Sequence, residues 1–134
     1  MADDGAGATL TFATSTATFD ITSVQGQGVS RESLPTFHHG TTGGYKTFMP
    51  ADFKDPGTIT VSWLYDPNEQ PTIAAAAETI TITYPVPSGD LSGATEASSG
   101  FWTDWDAPEV AIDQVMIATG TIKRSGVVSY TTST

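Results

Sequence analysis

The chain has 134 residues, 38% of them hydrophobic, and a mean hydropathy of −0.11, which is typical of one globular domain, and it holds no apolar run near the roughly 20 residues of a membrane-spanning segment. Five basic against fifteen acidic residues give a net charge of −10, which opposes binding to a phosphate backbone and excludes a conventional DNA-binding protein. The absence of cysteine excludes disulfides, thiolate metal sites and cysteine nucleophiles.

The first predicted elements are two strands, at residues 9–12 and 18–22. Threonine and apolar residues alternate in both, so each strand presents one apolar face, and β-branched residues favour the pleated backbone. Residues 1–8 lack the basic and apolar stretches of a secretion signal. We therefore expect a single domain over residues 1–134 that folds in the cytoplasm.

The next segment, residues 25–53, shows little alternation. Segments of this length inside a small domain are usually functional or disordered, but disordered linkers are poor in aromatic residues. This segment carries six large apolar side chains: Leu34, Phe37, Tyr45, Phe48, Met49 and Phe53. We therefore expect a long loop or hairpin that docks on a partner, with a second copy of the chain as the candidate.

Alternation returns at residues 58–65 and 79–84, which predict two further strands. Between them, Thr72 can cap a short helix over residues 72–78, because the alanine-rich run that follows has high helix propensity. Residues 110–123 predict a longer strand, either covered on both faces or bulged at Gly120. Residues 127–131 are predicted to return as its hairpin partner through a turn at Arg124, Ser125 and Gly126.

Gly, Pro and Ser separate these strands at the spacing of a sandwich or barrel. The predicted fold is all-β, with six or more strands. We expect a β-sandwich or partly open barrel with one short flanking α-helix and one long loop.

Residues 36–50 have the sequence TFHHGTTGGYKTFMP, and residues 55–67 have the sequence DPGTITVSWLYDP. The first resembles the Thr-x-His-x-Gly-(Ser/Thr)-Thr-Gly-Gly loop of the tail tube proteins of long-tailed, non-contractile bacteriophages. The second is similar to the strand of that family that ends in Tyr-Asp-Pro, and residues 115–130 resemble its closing hairpin. The resemblance extends from about Thr18 onward. Residues 101–106, FWTDWD, are richer in aromatic residues than the family's pattern.

The resemblance implies a tail-tube-like subunit that forms hexameric rings, stacked into the tube through which phage DNA is ejected into the host. Its partners would be further copies and the tape measure, tail terminator and distal tail proteins, and its location the virion tail, with no membrane. In the family the loop reaches neighbouring subunits. The contact residues expected here are Leu34, Phe37, His38, Gly40, Gly43, Gly44, Tyr45, Phe48, Met49 and Phe53, the glycines because they permit a tight backbone path.

The acidic composition fits such a conduit. A lumen lined by acidic and neutral groups repels the phosphate backbone, so DNA passes without specific binding. Asp20 and Asp113, each placed opposite apolar residues on a predicted strand, are the candidate lumen-facing carboxylates. The alternative is that both face the outer solvent.

No catalytic, metal or cofactor site is predicted. His38 and His39 are adjacent, so their side chains diverge, and no third ligand is nearby in sequence; their expected role is hydrogen bonding within the loop. Asp104, Asp106 and Glu109 lack the glycine and terminal glutamate of a calcium loop. No nucleophile elbow is present. We therefore expect a protein that is not an enzyme.

The aromatic cluster of Phe101, Trp102 and Trp105 supports an alternative function. Aromatic faces beside carboxylates bind sugars in β-sandwich modules, so a carbohydrate-binding or adhesin module is the alternative to the tube subunit. If the cluster is structural, we expect two of the rings in the core and one at a subunit interface.

Overall fold

The computed structural model describes residues 7–14, 19–40 and 43–134. These ranges contain eight β-strands: β1 (Thr9–Phe12), β2 (Asp20–Gly26), β3 (Ser30–Pro35), β4 (Phe48–Asp55), β5 (Thr58–Leu64), β6 (Glu78–Thr83), β7 (Thr95–Asp106) and β8 (Ile117–Thr131). They contain no α-helix, and so none that is long and apolar enough to cross a membrane. The predicted all-β class is confirmed.

Six strands form one antiparallel sheet in the order β1-β6-β7-β8-β5-β2. The two edges of the sheet approach each other, because Phe12 at the end of β1 and Phe19 just before β2 meet edge to face, with 6.2 Å between ring centroids. The sheet is therefore curled into a half-barrel, in agreement with the predicted partly open barrel. β3 and β4 pair with each other in a separate two-stranded sheet.

The core lies on the inner face of the curled sheet, to which alternate residues of each strand point. Its members are all 6% exposed or less: Ile59, Val61 and Trp63 of β5, Ile80 and Ile82 of β6, Trp102 of β7, and Ala118 and Ile122 of β8. Burying one of the larger apolar side chains stabilises the fold by about 1.5–3 kcal/mol. The alternation of threonine with apolar residues predicted these inward positions of β5 and β6.

The opposite surface of the sheet, the outer face, is covered mainly by threonine and serine. Residues directly opposite each other on neighbouring strands share a face. Four such pairs are Thr60 with Thr121, Ser62 with Thr119, Thr9 with Thr83, and Thr11 with Thr81. The result is a broad polar surface with few charges.

β7 is a strand that the hydrophobic pattern did not predict. The register of β7 against β8 shifts between Trp102 and Asp104, where no residue of β8 lies directly opposite Thr103. Such a bulge changes which side chains face inward, so Trp102 and Trp105, three residues apart, both face the core. Trp102 packs against Trp63 with 5.6 Å between ring centroids.

The predicted helix at residues 72–78 is wrong. The segment holds a turn, in which the Ala75 N–H donates to the Thr72 carbonyl at 3.2 Å, and Glu78 already begins β6. A run of a few alanines has high propensity, but isolated helices this short are unstable in water.

The predicted C-terminal hairpin is also wrong. β8 runs without a turn from Ile117 to Thr131: Arg124 and Ser125 pair in register with Gly100 and Ser99 of β7, and a bulge follows from Gly126, which has a φ of 82°. Strand structure starts at Ile117, not at residue 110, because residues 107–116 connect β7 to β8 outside the sheet.

Candidate assembly surface

The segment predicted as a loop or hairpin is a hairpin arm, defined here as residues 30–55, in which β3 and β4 pair. Leu34 lies opposite Met49, and Pro35 opposite Phe48. The Thr36 N–H continues the ladder by donating to the Thr47 carbonyl at 2.9 Å, and the two hydroxyls are 2.8 Å apart. The arm therefore has its own register before any partner binds.

The arm is open to solvent along almost its whole length. Every residue described between positions 27 and 50 is exposed. Tyr45 is 81% exposed, Phe53 89% and Phe48 57%. A two-stranded hairpin is marginally stable by itself in water, and clustered exposed apolar side chains mark interaction surfaces. The arm therefore has the character of an element that is completed by a partner.

The outer part of the arm forms a small cluster of its own. Phe37 and Phe48 meet edge to face with 6.1 Å between centroids. The Lys46 ammonium lies 5.6 Å from the centre of the Phe37 ring, a geometry worth about 0.5–1 kcal/mol at an exposed site. The predicted contact residues of the outer arm thus form two pairs on opposite faces of the hairpin, Phe37 with Phe48 and Leu34 with Met49, while Phe53 lies nearer the base.

The glycines and histidines of the arm have local structural roles. The Gly40 N–H donates to His38 Nδ1 at 3.0 Å, which is the hydrogen bonding within the loop expected of His38. A Cβ at Gly40 would lie 2.9 Å from the same imidazole. Gly43 and Gly44 have φ of 80° and 70°, in the left-handed region that glycine adopts without strain.

The base of the arm is held by a buried ion pair. Arg124 of β8 is 1% exposed and its Nη1 pairs with Glu96 Oε1 of β7. Its Nη2 donates to the Gln27 carbonyl, and its backbone N–H donates to the Gly57 carbonyl at 3.1 Å. Gln27 and Gly57 flank the arm on its two sides, so one arginine fixes both ends of the arm on the sheet. We call this arrangement the arm clamp.

Tyr84 completes the arm clamp. Its hydroxyl donates to Glu96 Oε2 at 2.9 Å. Partial burial, and then the neighbouring Glu96 carboxylate, raise the pKa of Tyr84 above its usual 10.0, because both disfavour the phenolate. The neutral phenol is therefore the form that the clamp holds.

A second ion pair lies beside the clamp at the surface. Asp55 Oδ1 accepts from the Gly57 N–H at 2.9 Å and from Lys123 Nζ at 3.3 Å. The Gly57 hydrogen bond, and then Lys123, hold the pKa of Asp55 below its usual 3.8. These bonds shape the turn by which the chain leaves β4 and enters β5.

Sequence reasoning missed the arm clamp. Arg124 was assigned to a turn, and Glu96 to no element. Arg124 follows Gly120 and Ile122 at the spacing of two that places all three on the inner face. The period of two places Arg124 at an inward position, but hydrophobic periodicity does not mark a charged residue there as buried, and nothing local in the sequence indicates its partner Glu96.

The two predicted lumen carboxylates lie at the end of the sheet remote from the arm. Asp20 is exposed at the start of β2, opposite Leu64 of β5. Asp113 does not lie on a strand, which corrects that part of its prediction, because it occupies the β7–β8 connection with a φ of 63°. Aspartate is among the non-glycine residues that adopt this conformation most readily.

The three aromatic residues of the alternative sugar site do not form one platform. Trp102 is buried, and Trp105 is half-buried and stacked on Tyr65 with 6.1 Å between centroids. Phe101 is 39% exposed and lies opposite Lys123 on the outer face, whereas Trp102 and Trp105 pack on the inner face. In the three described ranges, no group of three His, Asp or Glu side chains could hold a metal ion.

Comparison with protein-family models and with curated proteins gives no match. Solved structures do match. A chain in the cryo-EM structure of the sheath/tube terminator of an extracellular contractile injection system has a TM-score of 0.76 and 15% identity, over 98% of this chain and 97% of that one.

A chain of the native gene transfer agent virion has a TM-score of 0.69 and 10% identity, over 97% and 99% of the two chains. Hcp1 from Flavobacterium johnsoniae has a TM-score of 0.54 and 10% identity, over 92% and 93%. At such identities the similarity shows the fold, and the fold of this chain is tail-tube-like.

Proposed function

We propose that this protein is a structural, non-enzymatic subunit that polymerises into the tube of a phage-like tail. The observation that carries the proposal is the arm, a hairpin with large exposed apolar side chains, on a tail-tube-like fold. Assembly in rings occupies the exposed edges and arms of each copy and so prevents random aggregation. The hexameric ring and the stacking of rings rest on the sequence resemblance to tail tube proteins.

The type of tail follows from the same resemblance. The loop at residues 36–50 and the strand at residues 55–67 are similar to the tail tube proteins of non-contractile phages, so we assign the tube to a virion tail of that type. The solved structures of similar fold include chains of an extracellular contractile injection system, one from its sheath/tube terminator and one from its sheath-tube complex. Tape measure, terminator and distal tail proteins are the further partners proposed, and assembly takes place in the host cytoplasm.

The surface that suits the lumen is the outer face of the curled sheet. Its threonine and serine hydroxyls hydrogen-bond to water and carry no charge, Asp104 and Asp106 lie on it opposite Thr121 and Thr119, and Lys123, opposite Thr58, is paired with Asp55. A neutral to acidic wall keeps DNA hydrated and releases no counterions from it. Asp20 stands at the margin of this face and is the lumen carboxylate that we retain.

The proposal is tested by the assembly state of the purified protein. Size-exclusion chromatography with light scattering should show a concentration-dependent shift from monomer to ring-sized or longer species, and negative-stain microscopy should show rings or hollow tubes. A protein that stays monomeric at high concentration and binds a glycan on an oligosaccharide array would overturn the proposal in favour of the carbohydrate-binding alternative.

A further inference from the structure

The arm stands clear of the six-stranded sheet to which it is attached. In the described ranges, the Cα atoms of β3 and β4 lie within 8 Å of each other and of those of no other strand. None of the hydrophobic residues packed in the core or against it belongs to the arm. The arm is therefore a hairpin with its own register that is joined to the rest of the chain at its two ends.

Two short connections join the arm to the sheet. Residues 27–29 lead from β2 into β3, and residues 56–57 lead from β4 into β5. Gln27 and Gly57 are held on the sheet side, because the Gln27 N–H donates to the first carbonyl of β5 at 2.8 Å and the arm clamp binds the carbonyls of both residues. Gly28 comes next, and a Cβ there would meet nothing within 4 Å. A few residues at the ends of elements are enough to absorb a change of φ and ψ, so the two connections form a hinge between the arm and the sheet.

One ion pair crosses the hinge. Asp55 is the last residue of the arm, and its Oδ1 lies 3.3 Å from Nζ of Lys123 on β8. The other ion pair found in the described ranges, Arg124 with Glu96, lies wholly within the sheet. The Asp55 and Lys123 side chains are 60% and 41% exposed, and ion pairs this open to water are weak because solvent and salt screen them. The angle of the arm thus depends on a tie that is easily broken.

We propose that Asp55 and Lys123 form a latch that sets the angle between the arm and the sheet, and that the arm turns as a rigid hairpin when the latch opens. β3 has six residues, so the arm is a lever about 20 Å long, and a turn of about 20° would move its far end by about 7 Å. Opening so weak a pair costs little free energy, so the arm can adapt its angle to whatever covers its apolar side chains. The latch acts within one chain and does not require the proposed tube.

Distances between spin labels in the full chain test the latch. The chain has no cysteine, so Tyr45→Cys with Val127→Cys places one label on the arm and one on β8, at side chains that are 81% and 83% exposed. Double electron–electron resonance, measured on protein too dilute to assemble, gives the distribution of distances between the labels. Adding Lys123→Met removes the ion pair and keeps the bond from the Gly57 N–H to Asp55. We expect this change to shift the mean distance by about 5 Å or to widen the distribution about twofold.

Two controls distinguish a turning arm from a damaged one. Tyr45→Cys with Ser33→Cys places both labels within the arm, and Lys123→Met should leave that distance unchanged. Lys54→Met removes an arm cation that belongs to neither ion pair found in the described ranges, so it should leave the distance from the arm to β8 unchanged. The near-ultraviolet circular dichroism of all variants should be the same, because the arm clamp and the core are untouched.

Salt provides a second readout. At about 1 M salt the screening length is about 3 Å, so the distances from the arm to β8 in the chain that keeps Lys123 should approach those of Lys123→Met. The distances in Lys123→Met itself should not respond to salt. Distances from the arm to β8 that are the same with and without Lys123 would overturn the latch, whether or not the chain forms tubes. A changed distance within the arm would show that the hairpin itself opens, and would overturn the rigid turn.

Discussion

Arg124 is the charged side chain on which the position of the arm depends. It is buried on the inner face and binds Glu96, the Gln27 carbonyl and the Gly57 carbonyl. Arg124→Met leaves the Glu96 carboxylate buried without its cation, so we expect a loss of about 3–5 kcal/mol in the free energy of unfolding. Urea denaturation followed by tryptophan fluorescence measures the loss as a lower midpoint.

Lys123→Met is the control for this prediction, since it removes the neighbouring basic residue. The side chains of the Lys123–Asp55 pair are 41% and 60% exposed, and exposed pairs contribute about 0–1 kcal/mol. Equal losses in the two variants would show that burial of Arg124 is not what holds the arm base.

Gly120 is a position where packing requires a hydrogen atom in place of a side chain. A Cβ there would lie 2.5 Å from Trp102 Cζ3 and 3.2 Å from Trp63 Cη2. Gly120→Ala should therefore destabilise the fold by about 1–3 kcal/mol, the usual cost of overpacking. Gly28→Ala adds the same methyl group where nothing lies within 4 Å and should cause no loss, so equal thermal midpoints would contradict the role assigned to Gly120.

Tyr84 gives the arm clamp a dependence on alkaline pH. Its folded-state pKa is raised above 10.0, so the folded state holds the phenolic proton more tightly than the unfolded state. The stability from this group is complete below about pH 10 and is lost as the pH rises through the raised pKa. We expect unfolding midpoints above pH 10 to fall more steeply for the unmodified protein than for Tyr84→Phe, and parallel curves would exclude Tyr84 as the cause.

Among the strands, β1, β5 and β6 are predictable because threonine alternates with apolar residues that pack on a single core. Residues 9–12, 58–65 and 79–84 were predicted, and the strands are Thr9–Phe12, Thr58–Leu64 and Glu78–Thr83. The exposure of the apolar residues of the arm was predictable too, because they do not alternate with polar residues and so have no place in that core.

β7 and the arm clamp could not be predicted from hydrophobic periodicity. The buried inward positions in the first half of β7 are Glu96, Ser98 and Gly100, which are polar or small, and the bulge at Thr103 then breaks the period of two. Glu96 can be buried because it pairs with Arg124, which lies 28 positions later in the sequence. Pairings between residues so distant in sequence leave no local pattern.

The two strands of the arm, β3 and β4, pair with each other, and the core belongs to the six-stranded sheet. Deleting residues 33–49 should therefore leave a folded β domain that no longer polymerises. Near-ultraviolet circular dichroism of the core tryptophans should keep its native signal, and light scattering should show monomers at concentrations where the full chain assembles.

Tyr45→Ser with Phe53→Ser in the full chain is the companion variant, because it removes two of the most exposed rings of the arm and keeps the hairpin. It too should fold and fail to assemble. A deletion variant that is unfolded would show that the arm belongs to the core, and a companion variant that still forms tubes would place the assembly contacts elsewhere.

The whole molecule has a direction, because the arm leaves at one end of β5 and the β7–β8 connection lies at the other. The outer face between these ends is polar over most of its area, so it is suited to face water in a lumen and not another protein. A subunit with two different ends and a polar face suited to a water-filled channel favours a hollow polymer over a closed dimer.

Net charge decides how such a polymer responds to salt. Each copy carries −10, and at about 0.01 M salt the screening length of about 30 Å lets whole subunits repel each other. At about 0.15 M the screening length falls to about 8 Å, so that repulsion fades while short-range apolar contacts between copies persist. We therefore expect the assembled fraction, measured by sedimentation, to increase between these two salt concentrations. Glu69→Gln with Asp90→Asn reduces the net charge of each copy from −10 to −8, so the double variant should assemble at lower salt concentrations. An assembled fraction that decreases steadily as salt is added would show that ion pairs between subunits outweigh the repulsion between whole subunits.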